Sequence, residues 1–285
     1  MSAGSPRTPL DVELVRRALA GRSFGRRVEH RLAVDSTNRL ALALAREGAA
    51  EGTVVLAEEQ THGRGRGEHA WLSTRGLGLY LSLLLRPDRA LFETAVFGLV
   101  GGVAAACAVR ETTGLRARIK WPNDVLCRDR KVGGILAEAS TGPAAGPAVV
   151  VVGIGINVHH EPAELPEGTP VAPTSLRLEG AAVPSRAALA VAVVRHAERL
   201  YTALQSAGVG PFEEELVSLW VEKDAWVVLE EGPAAGQEGR ASRLDLGAGR
   251  LVLVDESGRE SPIPLDRFVR LRRTGNSEPI RPERL

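Results

Sequence analysis

The segment 61-THGRGRGEHAW-71 sets two guanidinium groups, Arg64 and Arg66, between glycines at 63, 65 and 67. Glycine lets a backbone approach its neighbour closely, and two guanidinium groups offer several charged donors. Such a loop suits an anionic ligand. With little to hold it folded when empty, it reads as a lid that the ligand orders. In 120-KWPND-124, Pro122 fixes its own φ and biases Trp121 towards an extended conformation, so Lys120, Asn123 and Asp124 project from a stiff corner. Lysine there offers a point charge for a phosphate, Asn a base-edge or carbonyl contact, and Asp a metal ligand or a proton acceptor. The segment 131-KVGGILAE-138 places Lys131 before two glycines and a strand, while 148-AVVVVGIGINV-158 is a buried strand. Gly153 and Gly155 deny that strand side chains on one face and leave room for a flat ligand. Ser36, Thr37 and Asn38 bring small hydrogen-bonding groups to a helix start. Each segment also has a plainer reading: a surface RG loop, a charged β-turn, a lysine blunting an edge strand, a helix N-cap.

Scarcity adds weight. Of 36 cationic residues only Lys120, Lys131 and Lys223 are lysine, and the chain holds four Asn, three Gln and four Trp. Eight of these fourteen residues fall in the segments 36–38, 58–71, 120–124, 131–138 and 153–158, which marks where function is to be sought. No Ser/His/Asp arrangement has a nucleophile-elbow context, and His159-His160-Glu161 lacks the helical spacing of a zinc motif. Cationic and amide donors without a nucleophile suit a reaction whose main demand is to hold anions together.

The elements that must position these groups are legible from periodicity. The chain has 285 residues, 44% hydrophobic and 25% charged, enough for one large domain or two smaller ones. A net charge of +1 argues against a bulk electrostatic nucleic-acid binder. Cys107 and Cys127 are too few for a disulfide framework, and no signal peptide or membrane span is expected. Helices are expected at 11–20, 38–47, 95–111, 185–204 and 211–221, and strands at 53–57, 78–85, 117–121, 124–127, 134–138 and 148–157. A turn is expected at 141–147, and from about Lys223 short β-rich runs at 226–229, 240–245, 251–254 and 268–271 indicate a small barrel. The expectation is an α/β domain to about residue 222, then that barrel.

Taken in order, STN, a strand, Q-x-x-GRGR-x₄-W, KWPND, K-x-GGIL-x-E, GIGIN-V and a C-terminal barrel resemble the biotin–protein ligases, from about residue 28 to 273. The resemblance implies an α+β fold: a class II synthetase-like mixed β-sheet with helices packed on it, followed by a small SH3-like barrel. It divides the chain into an extension (1–27), a catalytic domain (28–222), the barrel (223–273) and a disordered tail (274–285). The implied reaction forms biotinoyl-5′-AMP from biotin and ATP with Mg²⁺. The acyl group then passes to one lysine of a biotin carboxyl carrier protein of a carboxylase.

By the same resemblance Ser36, Thr37, Asn38 and Gln60 hold the biotin end. Gly63, Arg64, Gly65, Arg66 and Trp71 form the loop that closes over the adenylate, and Gly134, Gly153 and Gly155 line the biotin pocket. ATP falls to Arg64, Arg66, Lys120, Trp121, Asn123, Asp124, Lys131 and Asn157. Lys131, Arg66 and Asp124 are the catalytic candidates, with Asp124 also the candidate Mg²⁺ ligand and acceptor of the incoming amine's proton. The first thirty residues are too few for a helix-turn-helix with its core, so a monofunctional cytoplasmic ligase is expected, monomer or homodimer, with no DNA or membrane partner. Gly67 and Glu68 stand where many members carry more basic residues. The rival readings are a lipoate–protein ligase, a non-catalytic biotin-sensing regulator and an RNA-binding protein.

Overall fold

The computed structural model describes residues 8–67, 69–87, 94–140, 149–182, 185–230, 234–264 and 271–274. The turn expected at 141–147, Glu68 and most of the expected tail lie outside the described residues. A seven-stranded mixed sheet is built from β1 (Val28–Arg31), β2 (Val54–Ala57), β3 (Gly78–Leu85), β4 (Ala117–Lys120), β5 (Asp124–Cys127), β6 (Arg130–Ser140) and β7 (Val149–Asn157), in the order β1-β2-β3-β7-β6-β5-β4. Only β1 and β2 run parallel; every other neighbour is antiparallel.

The central strands are apolar on both faces, as continuous apolar runs require. On one face Leu79, Leu81, Leu83 and Leu85 of β3 and Val150, Val152, Ile154 and Ile156 of β7 join the main core. That core includes α3 (Thr94–Thr113), α4 (Arg186–Ala207), α5 (Gly210–Leu219) and the short α1 (Val12–Ala18). α3 has the length and composition of a membrane span, contrary to the expectation that no run would. Its alanines and glycines instead bring it down onto the sheet: a Cβ on Gly101 would meet Val152 Cγ1 at 2.6 Å. On the other face Leu84, Val55, Val149 and Val151 pack beneath α2 (Thr37–Arg46).

The N-terminal segment is fastened by a buried ion pair. Arg186 bonds Glu58 (2.9 Å) and the carbonyls of Thr8 (2.6 Å) and Gly78 (3.1 Å), and Glu58 accepts from Leu10 N (2.6 Å). At the far edge of the sheet, Val221 N donates to Ile119 O (2.8 Å), so the chain leaving α5 covers β4.

The second sheet is antiparallel: β8 (Trp226–Leu229), β9 (Glu238–Asp245), β10 (Arg250–Val254), β11 (Glu260–Pro264) and β12 (Leu271–Arg273), in the order β11-β10-β9-β8-β12. Residues 265–270, and with them the start of the strand expected at 268–271, lie outside the described residues. Thr274, assigned to the tail, bonds Trp226 O through its amide at 3.0 Å. Two strands were not expected, β1 and β11. Both are edge strands whose exposed, charged or proline-bearing residues break the apolar pattern.

Just beyond β7, the His160 imidazole is buried, 1% exposed, and burial lowers its pKa to about 4; His159 adds to the shift and Glu164 opposes it. The unfolded chain titrates near 6.5, so it binds more protons than the folded chain between that pH and 4. His160 therefore contributes stability above pH 6.5 that is lost as pH falls, about 3 kcal/mol by pH 4. The urea midpoint of the protein should fall steeply across this window, and that of His160→Leu less so. Equal slopes would mean that His160 protonates without strain in the folded state.

Candidate functional site

Where α2 ends at its N-terminus, the second face of the sheet changes character. The alternation that places Val149 and Val151 under the helix continues as Gly153 and Gly155, with Ser82 opposite Gly153 and Gly134 opposite Gly155. The floor thus loses its side chains over two strands. Part of the space this opens is filled from the protein itself. A Cβ on Gly153 would meet Asn38 Oδ1 at 2.3 Å, and one on Gly155 would meet Trp71 Nε1 at 2.5 Å. Trp71 also lies 3.0 Å from where a Gly134 Cβ would sit. Carboxamide and indole thus rest against the glycines, which still line the open cavity.

Polar groups brought here away from water must pair with one another. Ser36 occupies the N-cap of α2 but makes no side-chain cap bond. Gln60 does that work from the facing loop, its Oε1 accepting from Thr37 N (2.8 Å) and Thr37 Oγ1 (3.1 Å) while its Nε2 donates to Ser73 Oγ (2.8 Å). Ser82 Oγ donates to Asn38 Oδ1 (2.6 Å), and Asn38 Nδ2 donates to Leu136 O (3.1 Å) and Glu138 Oε2 (2.8 Å). The other Glu138 oxygen takes Arg64. Thr37 Oγ1 also lies 2.8 Å from Ser82 Oγ, so a continuous chain of polar contacts runs from Ser73 to Arg64. Ser82 and Ser73 were not singled out from sequence, since Ser82 sits in an apolar run and nothing local marks Ser73; Glu138 closes the K-x-GGIL-x-E motif but was given no role.

The loop carrying Arg64 and Arg66 has more internal structure than its composition suggests. Gly65 N donates to His69 O (2.7 Å) and Trp71 N to Gly63 O (2.9 Å), with Arg64 bridged to Ala70. A Cβ on Gly63 would lie 2.3 Å from Trp71 O. Here the glycines let the two arms of the loop approach each other.

Lys131 Nζ stands 2.6 Å from Asp124 Oδ1 and 5.5 Å from the centroid of the Trp71 ring. Beside it Asn123 and Asn157 are pinned through their carboxamides, to Ile135 O and Thr174 O, both at 3.0 Å. Lys120 Nζ turns to the second sheet, donating to Leu271 O (2.9 Å) at 3.6 Å from Glu222 Oε1. Glu222 is buried, which raises its pKa against the opposing pull of Lys120, and it accepts from Trp121 N at 3.2 Å. Nothing in the local sequence pattern marked Glu222.

All eighteen residues singled out from sequence line one cavity of about 1270 Å³ between the seven-stranded sheet, the loop that carries Arg64 and Arg66, and the second sheet. Its walls carry Arg64, Arg66, Lys120 and Lys131 against Asp124 and Glu222, so it presents donors for anions along an apolar floor. Two glycines give a direct test of that floor. Asn38 is fixed by three hydrogen bonds, whereas Trp71 belongs to a loop, so Gly153→Ala should lower the melting temperature more than Gly155→Ala. Gly155→Ala should instead unseat Trp71 and speed tryptic cleavage after Arg64 and Arg66. Unchanged cleavage would mean that the indole does not hold the loop.

Residues 31–157 match the biotin/lipoate A/B protein ligase family. The biotin–[acetyl-CoA-carboxylase] ligase of Mycobacterium tuberculosis is 37% identical over 202 residues, covering 67% of this chain and 71% of that protein. The bifunctional ligase/repressor BirA of Bacillus subtilis is 38% identical over 162 residues, 57% of this chain; the match spans 50% of that relative's length. Among solved structures, the biotin protein ligase of Aquifex aeolicus in complex with biotin and ATP superposes with a TM-score of 0.74 at 29% identity, covering 87% of this chain and 100% of that one. By its sequence and by the fold that surrounds the cavity, the chain belongs to the biotin/lipoate A/B protein ligase family.

Proposed function

We propose that the protein is a biotin–protein ligase: it joins biotin to ATP as biotinoyl-5′-AMP, releasing pyrophosphate, and transfers the biotinoyl group to a lysine of a biotin carboxyl carrier protein. The observation that carries this reading is the placement of Lys131, held against Asp124 and Trp71, on one cavity with Arg64 and Arg66. The Aquifex aeolicus structure with biotin and ATP supports the choice of substrates.

The chemistry asks little of the protein beyond placement. Biotin carboxylate and the ATP α-phosphate are both anionic and repel until cations stand between them. Lys131, Arg64 and Arg66 supply that charge, and the paired carboxylates Asp124 and Glu138 yield their partners as the substrate anions arrive. One carboxylate oxygen of biotin then bonds to the α-phosphorus as the bond to pyrophosphate breaks. The lid keeps water from the resulting mixed anhydride. In the second step the carrier's amine bonds to the acyl carbon, AMP leaves, and the amine's proton passes to Asp124. Ser36, Thr37, Asn38 and Gln60 hold the polar end of biotin above Gly153. Trp121, Asn123 and Asn157 shape the nucleotide side, and Lys120 has further donors to offer it beyond the one held by Leu271.

Mg²⁺ neutralises the triphosphate when bound with ATP. Asp124 would hold it through Oδ2, the oxygen that Lys131 does not pair with. The enzyme acts in the cytoplasm.

Isothermal titration with biotin, then with biotin and Mg-ATP while pyrophosphate is followed, tests the first half. Biotin-dependent release is the expected result, and release with lipoate but not biotin would overturn the choice of acid. Lys131→Ala should slow pyrophosphate release by roughly a hundredfold or more, because a cation aimed at developing charge is lost. An unchanged rate would remove Lys131 from the reaction. Arg66→Gly should loosen the lid, so that biotinoyl-adenylate escapes and labels lysines of bystander proteins. Labelling confined to the carrier would show that Arg66 does not retain the adenylate.

A further inference from the structure

Behind Lys131 lies a buried carboxylate that takes no part in the steps above. Glu179 follows the proline-rich segment 162–173, and its side chain is fully buried. Its Oε1 accepts from Thr174 Oγ1 (2.7 Å) and from the Arg130 guanidinium (2.7 Å), while its Oε2 lies 3.9 Å from Arg128 Nε. Thr174 and Arg130 are the handles on Lys131. Lys131 N donates to Ala172 O (2.9 Å), and Thr174 N donates to Lys131 O (2.8 Å), so residues 172–174 clamp the lysine's own backbone. Arg130 precedes it in β6.

The clamp sits where the backbone is least regular. Arg128 and Asp129, with φ of 47° and 62°, make the two-residue turn between β5 and β6. A register shift between Val125 and Leu126 then leaves Val132 as an extra residue beside Lys131. A bulge of this kind re-aims the side chains next to it. A strained turn and a bulge on either side of Lys131 leave its direction to be fixed from outside the strand.

The geometry points to Glu179 as the positioning residue for Lys131: through Arg130 and Thr174 it fixes the backbone that aims the ammonium at Asp124 and the anion site. An uncompensated buried carboxylate is costly, and here the compensation falls on Oε1, through Thr174 and Arg130, while Oε2 makes no hydrogen bond and has Arg128 at 3.9 Å. The assignment deepens the ligase reading, and it is tested in part without it. The chain has three lysines, so reductive ¹³C-methylation gives one dimethylamine signal for each, beside that of the terminal amine. In Glu179→Gln the Lys131 signal should move towards that of free lysine, while the Lys120 and Lys223 signals stay in place. Thr174→Val, which deletes only the hydroxyl, should give a smaller shift of the same kind and covers the case in which Glu179→Gln does not fold. In turnover, Glu179→Gln should slow pyrophosphate release roughly 10- to 100-fold, as small misplacements of reacting groups do. The same change should have no further effect in Lys131→Ala. An unmoved Lys131 signal, or equal losses in both backgrounds, would overturn the assignment. A wild-type chain that releases no pyrophosphate while the Lys131 signal moves as expected would sink the ligase reading and leave the clamp standing.

Discussion

Asn38 rests its carboxamide where Gly153 has no side chain, and that contact sets how closely α2 approaches the sheet. The approach is possible because one face of β7 changes from valine to glycine at residue 153, while the other continues as Ile154 and Ile156 in the core. A sheet buried on both faces normally has nowhere to place a site. Here the apolar pattern stops on one face only, so the fold keeps its core and opens a cavity in the same strands. Ser82, opposite Gly153, completes the exchange by offering a hydroxyl where Leu84 offered a methyl group two residues on.

Removing the floor from water forces the polar groups above it into mutual pairing. Glu138 holds Asn38 and Arg64; Asp124 holds Lys131. These internal pairs are the state against which any anion must compete, and each anion that enters replaces a carboxylate as partner of a cation. An anion that takes one of these cations leaves the displaced carboxylate without it, so binding must outweigh the internal pair. It is driven by the difference in fit between two carboxylates of the protein and two anions of a ligand. A site so arranged avoids isolated buried cations when empty, at the expense of affinity when filled.

The sequence was most readable where one periodicity decided the outcome. β3, β5 and β8 lie within the expected bounds because short apolar runs there end at turn residues. The same rule failed for β1, VEHR, and β11, ESPIP, since an edge strand is free to carry charge and proline on its unpaired side. Within the site, the motif residues were legible because glycine, lysine and Asn-Asp stand out locally. Glu179 and Glu222 did not stand out, and Glu138 closed a motif without a role of its own. A glutamate is ordinary on a surface, and only the tertiary contacts reveal that each has a cation and a donor waiting for it in the interior.

Scarcity located the two important lysines without distinguishing them. Lys131 turns inward to Asp124 and the Trp71 ring, while Lys120 reaches across to the carbonyl of Leu271 and to Glu222. The third, Lys223, pairs with its neighbour Asp224 at the surface. An ammonium carries three donors on a flexible stem, so the type of residue says that it will find oxygen and not which oxygen. What separates the roles is the backbone beneath: Lys131 follows a turn with two left-handed residues and precedes a bulge, whereas Lys120 ends a regular strand whose edge the chain after α5 already covers. Irregular backbone held by buried partners is where this fold aims a charge into the cavity; regular backbone is where it ties one sheet to the other.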